Sequence, residues 1–117
     1  LGLKQQALNE YESLYLKTDR VDVLYTISFL QFELSNFNES LTNLNILISS
    51  DKTSDMSVSV TKDENSRQEI PIRAQLHYLK SLIYIEQKNN DLAKASLNEA
   101  IKISPDFQNA INKLNTL

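Results

Sequence analysis

Apolar and small residues recur along the chain at helical spacing, and one three-residue seam comes back three times. In LAKASLNEAIKISP (Leu92 to Pro105), Ala93, Leu97 and Ala100 fall at i, i+4 and i+7 and share one helix face. Two small side chains flanking a bulky one suit the close approach of a second helix. Ala7, Tyr11 and Leu14 repeat the spacing in ALNEYESL, and Ser40, Leu44 and Leu47 repeat it in SLTNLNIL. A longer apolar helix precedes the second and third seams: VDVLYTISFLQFEL (Val21 to Leu34) and IRAQLHYLKSLIYIEQ (Ile72 to Gln87). Each carries a serine in its middle, Ser28 or Ser81, placed 12 residues before the first residue of its seam. Helix pairs repeated in register predict an all-α solenoid of antiparallel pairs.

The pattern predicts six helices, at about 2–17, 21–34, 37–50, 72–88, 91–103 and 105–117. Asn36 or Asn38 is placed to cap the third, and Asn90 or Asp91 the fifth. Ser104-Pro105-Asp106 reads as a cap, a first-turn proline and an acid at the positive helix end. Phe107, Ile111 and Leu114 then line one face of the last helix. The spacing breaks once. Ala7 to Ser40 is 33 residues, whereas Ser40 to Ala93 is 53. The extra residues lie between Asp51 and Pro71. There Met56, Val58 and Val60 alternate with Ser57, Ser59 and Thr61, a polar DENS turn follows, and Gln68, Ile70 and Ile72 alternate with Glu69 and Pro71. That period of two predicts a β-hairpin inserted between helix pairs, with Met56, Val58, Val60 and Ile70 as its packing face. The competing reading is a polar loop, since an isolated hairpin needs something to pack on.

Composition narrows the function. Apolar residues make up 41% of the 117 and charged residues 23%, which argues for a folded domain. One glycine and two prolines leave few breaks for short strands. The net charge of −3, with both signs mixed throughout, supplies no basic stripe and argues against nucleic-acid binding. No apolar run is long enough to span a membrane. Cysteine is absent, so thiol chemistry and disulfides are excluded while the compartment stays open. The sequence opens on Leu1 without a leader pattern, which reads as a fragment or processed product with any targeting signal outside it. Richness in Asn, Ile, Lys and Leu fits a low-GC bacterial genome, and cytoplasm and periplasm both remain open.

The region Ala74 to Pro105 resembles the tetratricopeptide repeat family. Ser81 looks like the family's small residue in the first helix and Tyr84 like its aromatic. Ala93, Leu97 and Ala100 look like the small, bulky and small residues of the second helix, and Pro105 like the closing proline. In the middle pair Ser28, Ser40, Leu44 and Leu47 correspond, with Gln31 where an aromatic is usual and Lys52 where proline is usual. Gly2 to Asp19 looks like the second helix of a preceding repeat. Lys80 and Asn90 depart from the pattern, which favours apolar and aromatic residues there. The resemblance implies a right-handed superhelix over one domain, 1–117. Its parts are a partial repeat at 2–19, repeats at 21–51 and 72–105, the insertion at 52–70 and a capping helix at 106–117.

The resemblance further implies a concave groove, lined by the first helix of each pair, that binds a peptide or helix. Asp22, Tyr25, Phe29, Phe32 and Glu33 line it from one pair. Gln75, Tyr78, Leu82, Ile85 and Glu86 line it from the next, and Asn109 and Asn112 from the last helix. Such an apolar strip marks a binding surface for an outside partner, or one filled by the rest of a longer protein or a second copy. Tyr25, Phe29, Tyr78 and Leu82 occupy the places where some relatives clamp a terminal carboxylate, so that mode is not expected. His77 is the single histidine, and without carboxylates at ligand spacing it reads as structural rather than as a metal ligand. Asp51, Thr53 and Asp55 lack the glycine and distal glutamate of a calcium loop. No phosphate loop, cysteine nucleophile or serine–histidine elbow is present. The function expected is therefore a non-enzymatic scaffold for protein interaction without cofactor, with self-association through exposed end helices as an option. Two alternatives stand: a structural spacer in a longer repeat protein, and a cell-envelope ligand- or glycan-binding accessory. The second is weakened by the lack of aromatics in 52–70.

Overall fold

A computed structural model describes residues 2–117. The chain divides into two compact units, Leu1–Ser50 and Asp51–Leu117. The first contains α1 (Gly2–Thr18), α2 (Val21–Glu33) and α3 (Phe37–Ser49). The second opens on a short 3₁₀ turn, Asp51–Thr53. It continues through β1 (Ser57–Asp63), β2 (Ser66–Pro71), α4 (Ile72–Glu86), α5 (Asn90–Ile103) and α6 (Gln108–Asn115). The structure is thus mostly helical with one antiparallel hairpin, as the two periodicities predict.

In the first unit α2 packs on both α1 and α3. The α2–α3 crossing uses the small residues: Ser28 and Ser40 are fully buried, and Ser40 Oγ donates to the Ser28 carbonyl at 2.7 Å. A hydroxyl is short enough to let the backbones approach and brings its own partner, so no polar atom is stranded. Leu44 and Leu47 of the same seam are wholly buried, as are Ala93, Leu97 and Ala100 of α5, which packs on α4. The N-terminal seam behaves differently. Tyr11 and Leu14 are 38% and 39% exposed, and α1 instead buries Leu8.

The turn inside each pair repeats as faithfully as the seams. Ser35 and Lys88 adopt left-handed φ values of 62° and 59°. The Asn36 N–H then reaches the Gln31 carbonyl, and the Asn89 N–H the Tyr84 carbonyl, both at 2.8 Å. Both turns are Schellman closures that satisfy a late helix carbonyl. Asp19, with φ of 54°, follows α1 in the same conformation. Glycine, the usual residue for this geometry, is used at none of the three.

The capping assignments need correction. Asn89, rather than Asn90 or Asp91, caps α5, its Oδ1 accepting from the Leu92 N–H at 3.2 Å. Asn36 precedes α3 without a side-chain cap bond, and Asn38 lies inside the helix. Helix α6 starts at Gln108, so Pro105 is not in its first turn. Ser104 ends α5 and its carbonyl accepts from the Phe107 N–H, making Pro105 and Asp106 a tight turn between helices.

The hairpin is part of the core of its unit. Val58 pairs with Ile70 and Val60 with Gln68 across the ladder, which puts their side chains on one face. Val60 and Ile70 pack with Ala74 of α4, Leu97 and Ala100 of α5, Phe107 and Ala110. This is the partner surface that a lone hairpin lacks. Its polar residues bind the last helix as well. Gln68 Nε2 donates to the Asp106 carbonyl at 3.0 Å, and Gln68 Oε1 accepts from the Gln108 N–H at 3.0 Å. A β-strand side chain therefore caps α6, whose own preceding residue, Phe107, has no acceptor to offer. Gln68→Ala removes both bonds and is expected to cost about 1–2 kcal/mol, read as a lower urea midpoint with fraying confined to α6 amides in hydrogen exchange.

Candidate functional site

On α2, the positions 25, 29, 32 and 33 lie along one side of the helix. Phe29 is 37% exposed, and Phe32 is half-buried with its ring centroid 6.5 Å from that of Phe29 and 6.1 Å from that of Phe37. Both pairs are tilted, a favourable arrangement for aromatic quadrupoles. Phe37, the first residue of α3, joins this cluster unforeseen, because the turn between the helices sets its position. Tyr25 is half-buried, and its carbonyl accepts from Ser28 Oγ. Charged residues edge the same surface: Glu33 pairs with Lys4 at 3.3 Å and Asp22 with Arg20 at 2.6 Å. The Arg20 guanidinium holds the Asp22 carboxyl below its ordinary range. Both pairs are well exposed and contribute little stability.

On α4 the residues proposed for a groove divide. Leu82 and Ile85 are half-buried, and Glu86 is exposed. The Tyr78 ring sits 5.3 Å from that of Phe107 and packs against the core of its unit, and burial raises its phenol pKa. Tyr78 is thus a core residue along its ring, and it also borders a shallow cleft of about 200 Å³ with Asn109, Asn112, Lys113 and Thr116. Of these, Asn109 Nδ2 donates to the Thr61 carbonyl and Asn112 Oδ1 accepts from Gln108 Nε2. The Ser59 carbonyl accepts from Arg67 in a similar way. Asn109 and Arg67 thus occupy backbone acceptors of β1 that an added strand would need. Gln75 is 8% exposed, and its Oε1 is buried without a hydrogen-bond partner, so it does not line an open surface.

His77 is half-buried in a cleft of about 220 Å³ shared with Lys80, Tyr84, Leu92, Ala95, Ser96 and Glu99. Burial lowers the imidazole pKa and the Lys80 charge lowers it further, with Glu99 opposing. Among the described residues no three His, Cys, Asp or Glu side chains come together to hold a metal, and no helix is long and apolar enough to cross a membrane. A histidine whose folded pKa lies below its unfolded value takes up protons preferentially when unfolded. Stability is therefore expected to fall as pH drops from about 6.5 through the folded pKa. Urea midpoints at neutral and mildly acid pH should differ more for the wild type than for His77→Gln, and equal slopes would remove His77 as the cause.

The seams, the 12-residue offset and the repeated Schellman turn define a common helix-pair unit. Residues 74–107 match the tetratricopeptide repeat family. The matched stretch runs from Ala74 in α4 through α5 to Phe107 and contains Ser81, Tyr84, Ala93, Leu97, Ala100 and Pro105. Lys80, which is half-buried, and Asn90, which is exposed, are the departures from the tetratricopeptide repeat pattern. No curated protein matches the chain.

Proposed function

We propose that this chain is a helical-repeat interaction module whose pairs stack as tetratricopeptide repeats do, binding a partner peptide or helix on the apolar faces of its first helices. Tyr25, Phe29, Phe32 and Glu33 are the contact residues on α2, and Tyr78, Leu82, Ile85 and Glu86 those on α4. The observation that carries this reading is the Phe29–Phe32–Phe37 cluster. A partly exposed aromatic edge is held on a rigid helix pair and flanked by charge, which is the composition of an interface anchor. The repeat match supports protein interaction in general, and neither catalysis nor a cofactor enters the reading. Preorganised rings lose little conformational entropy on docking.

The test compares partners captured from lysate of the native organism by the wild type and by Phe29→Ala with Phe32→Ala, both checked for helical content. A direct partner should bind the double variant at least about tenfold more weakly, the loss expected when aromatic anchors are truncated. Equal affinity in a folded variant would retire the α2 face as a docking site and leave the spacer reading in its place.

A further inference from the structure

Among the described residues five serines are buried, and four of them use their hydroxyls inside the protein. Ser28 donates to the Tyr25 carbonyl, Ser40 to the Ser28 carbonyl, Ser81 to the Tyr78 carbonyl and Ser104 to an Asp106 carboxylate oxygen. Ser96 of α5 is the exception. It is 7% exposed, yet among the described residues its hydroxyl has no hydrogen-bond partner. Nor is that hydroxyl sealed in the core, because Ser96 borders the cleft of about 220 Å³ shared by α4 and α5. From α4, His77 and Lys80 line the same cleft, three residues apart and so on one helix face. Lys80 is half-buried, and no carboxylate pairs with it among the described residues, whose ion pairs are Lys4–Glu33 and Arg20–Asp22. Burial alone pulls its amine pKa down, the mark of a charge that has lost water and gained no counter-ion. Burial and the Lys80 charge pull the imidazole of His77 down as well, so at neutral pH it is mostly uncharged and carries one ring N–H.

We propose that this cleft binds a small monocarboxylate with an apolar body. The Lys80 ammonium, the Ser96 hydroxyl and the His77 N–H are the donors for its carboxylate, and Leu92, Ala95 and the Tyr84 ring are the walls for its body. An anion at this place supplies the counter-charge that Lys80 lacks and the partner that Ser96 lacks. The charge count selects the ligand. One cation balances one negative charge, and Glu99 in the same cleft repels a second, so a phosphate dianion fits less well. An amine would meet the Lys80 charge. The volume lies below the roughly 300–1,000 Å³ of pockets that hold drug-sized ligands, so the body is small. The cleft includes neither the aromatic edge of α2 nor Tyr78, Leu82, Ile85 and Glu86 of α4, so the site stands or falls apart from the function proposed above.

The probe is sodium phenylacetate, titrated at neutral pH into the isotope-labelled 117-residue chain, with inorganic phosphate and 2-phenylethylamine as comparisons. Phenylacetate should shift the amides around His77, Lys80 and Ser96 saturably, in the millimolar range expected of so small a ligand. Phosphate and the amine should each bind about fivefold more weakly or not at all. Lys80→Gln removes the charge and keeps much of the stem, and Ser96→Ala removes only a hydroxyl from a helix. Each should weaken phenylacetate binding about fivefold or more, the effect of losing one donor to a charged group, while Lys80→Arg should retain it. Circular dichroism checks that each variant keeps the fold. Bound phenylacetate should also raise the His77 pKa read from its ring resonances, because a neighbouring anion favours the imidazolium. No saturable shift, equal binding of phosphate or the amine, unchanged affinity in folded Lys80→Gln or Ser96→Ala, or a His77 pKa that does not rise would each overturn the proposal.

Discussion

Phe107→Ala is expected to lower the unfolding free energy of the Asp51–Leu117 unit by about 3–5 kcal/mol, the cost of emptying a large buried aromatic site. Phe107 is fully buried and joins every element of that unit's core cluster: the hairpin through Val60 and Ile70, α4 through Ala74, α5 through Leu97 and Ala100, and α6 through Ala110. It also loses the tilted contact with Tyr78, worth about 0.5–1.5 kcal/mol beyond area. The surrounding side chains come from four elements anchored elsewhere, so the site cannot collapse around a smaller residue. A unit of this size has a stability of only about 5–10 kcal/mol, so the variant should keep a small margin. Urea unfolding followed by circular dichroism gives the difference directly, and β1–β2 amides should lose exchange protection with it. A loss below about 1 kcal/mol would mean that Phe107 does not bind the hairpin to the helices.

Phe107 also shows what the sequence makes legible. Its apolar character and its helical spacing to Ile111 and Leu114 are local features, and they place it on the inner side of the last helix. That it stands before the helix rather than in it depends on a turn set by the Ser104 carbonyl, and no local pattern encodes that bond. The hairpin divides in the same way. Alternation of Val58 and Val60 with serines predicts the strands and their buried face, since period two is a property of the strand alone. Capping of α6 by Gln68 joins residues 40 positions apart, and glutamine carries no cue that it is a cap. The helix ends carry no local marker, because the left-handed positions hold Asp19, Ser35 and Lys88 where glycine would announce them. Among the candidate contact residues, Phe29 and Phe32 follow from spacing on α2. The inward ring of Tyr78 does not, because helical periodicity cannot foresee Phe107 as its neighbour.

Ala93→Leu and Ala7→Leu make the same change in the same register and are expected to have opposite outcomes. Ala93 is fully buried on α5, which packs on α4, where Ser81 is fully buried as well. Leucine there adds a branched side chain where a methyl just fits, forcing the helices apart or the new side chain off its rotamer, at a cost of about 1–3 kcal/mol. Separation would also disturb Leu97 and Ala100 further along the seam, so the upper part of that range is expected. Ala7 is only half-buried, on the same helix face as the exposed Tyr11 and Leu14. The effect of leucine there on stability should stay within about 0.5 kcal/mol. Urea midpoints of the two variants measured side by side decide the matter. Equal, large losses would mean that the α1 seam is already closed within the folded chain. A large loss for Ala93→Leu alone would leave the α1 seam as a built but open helix-packing surface.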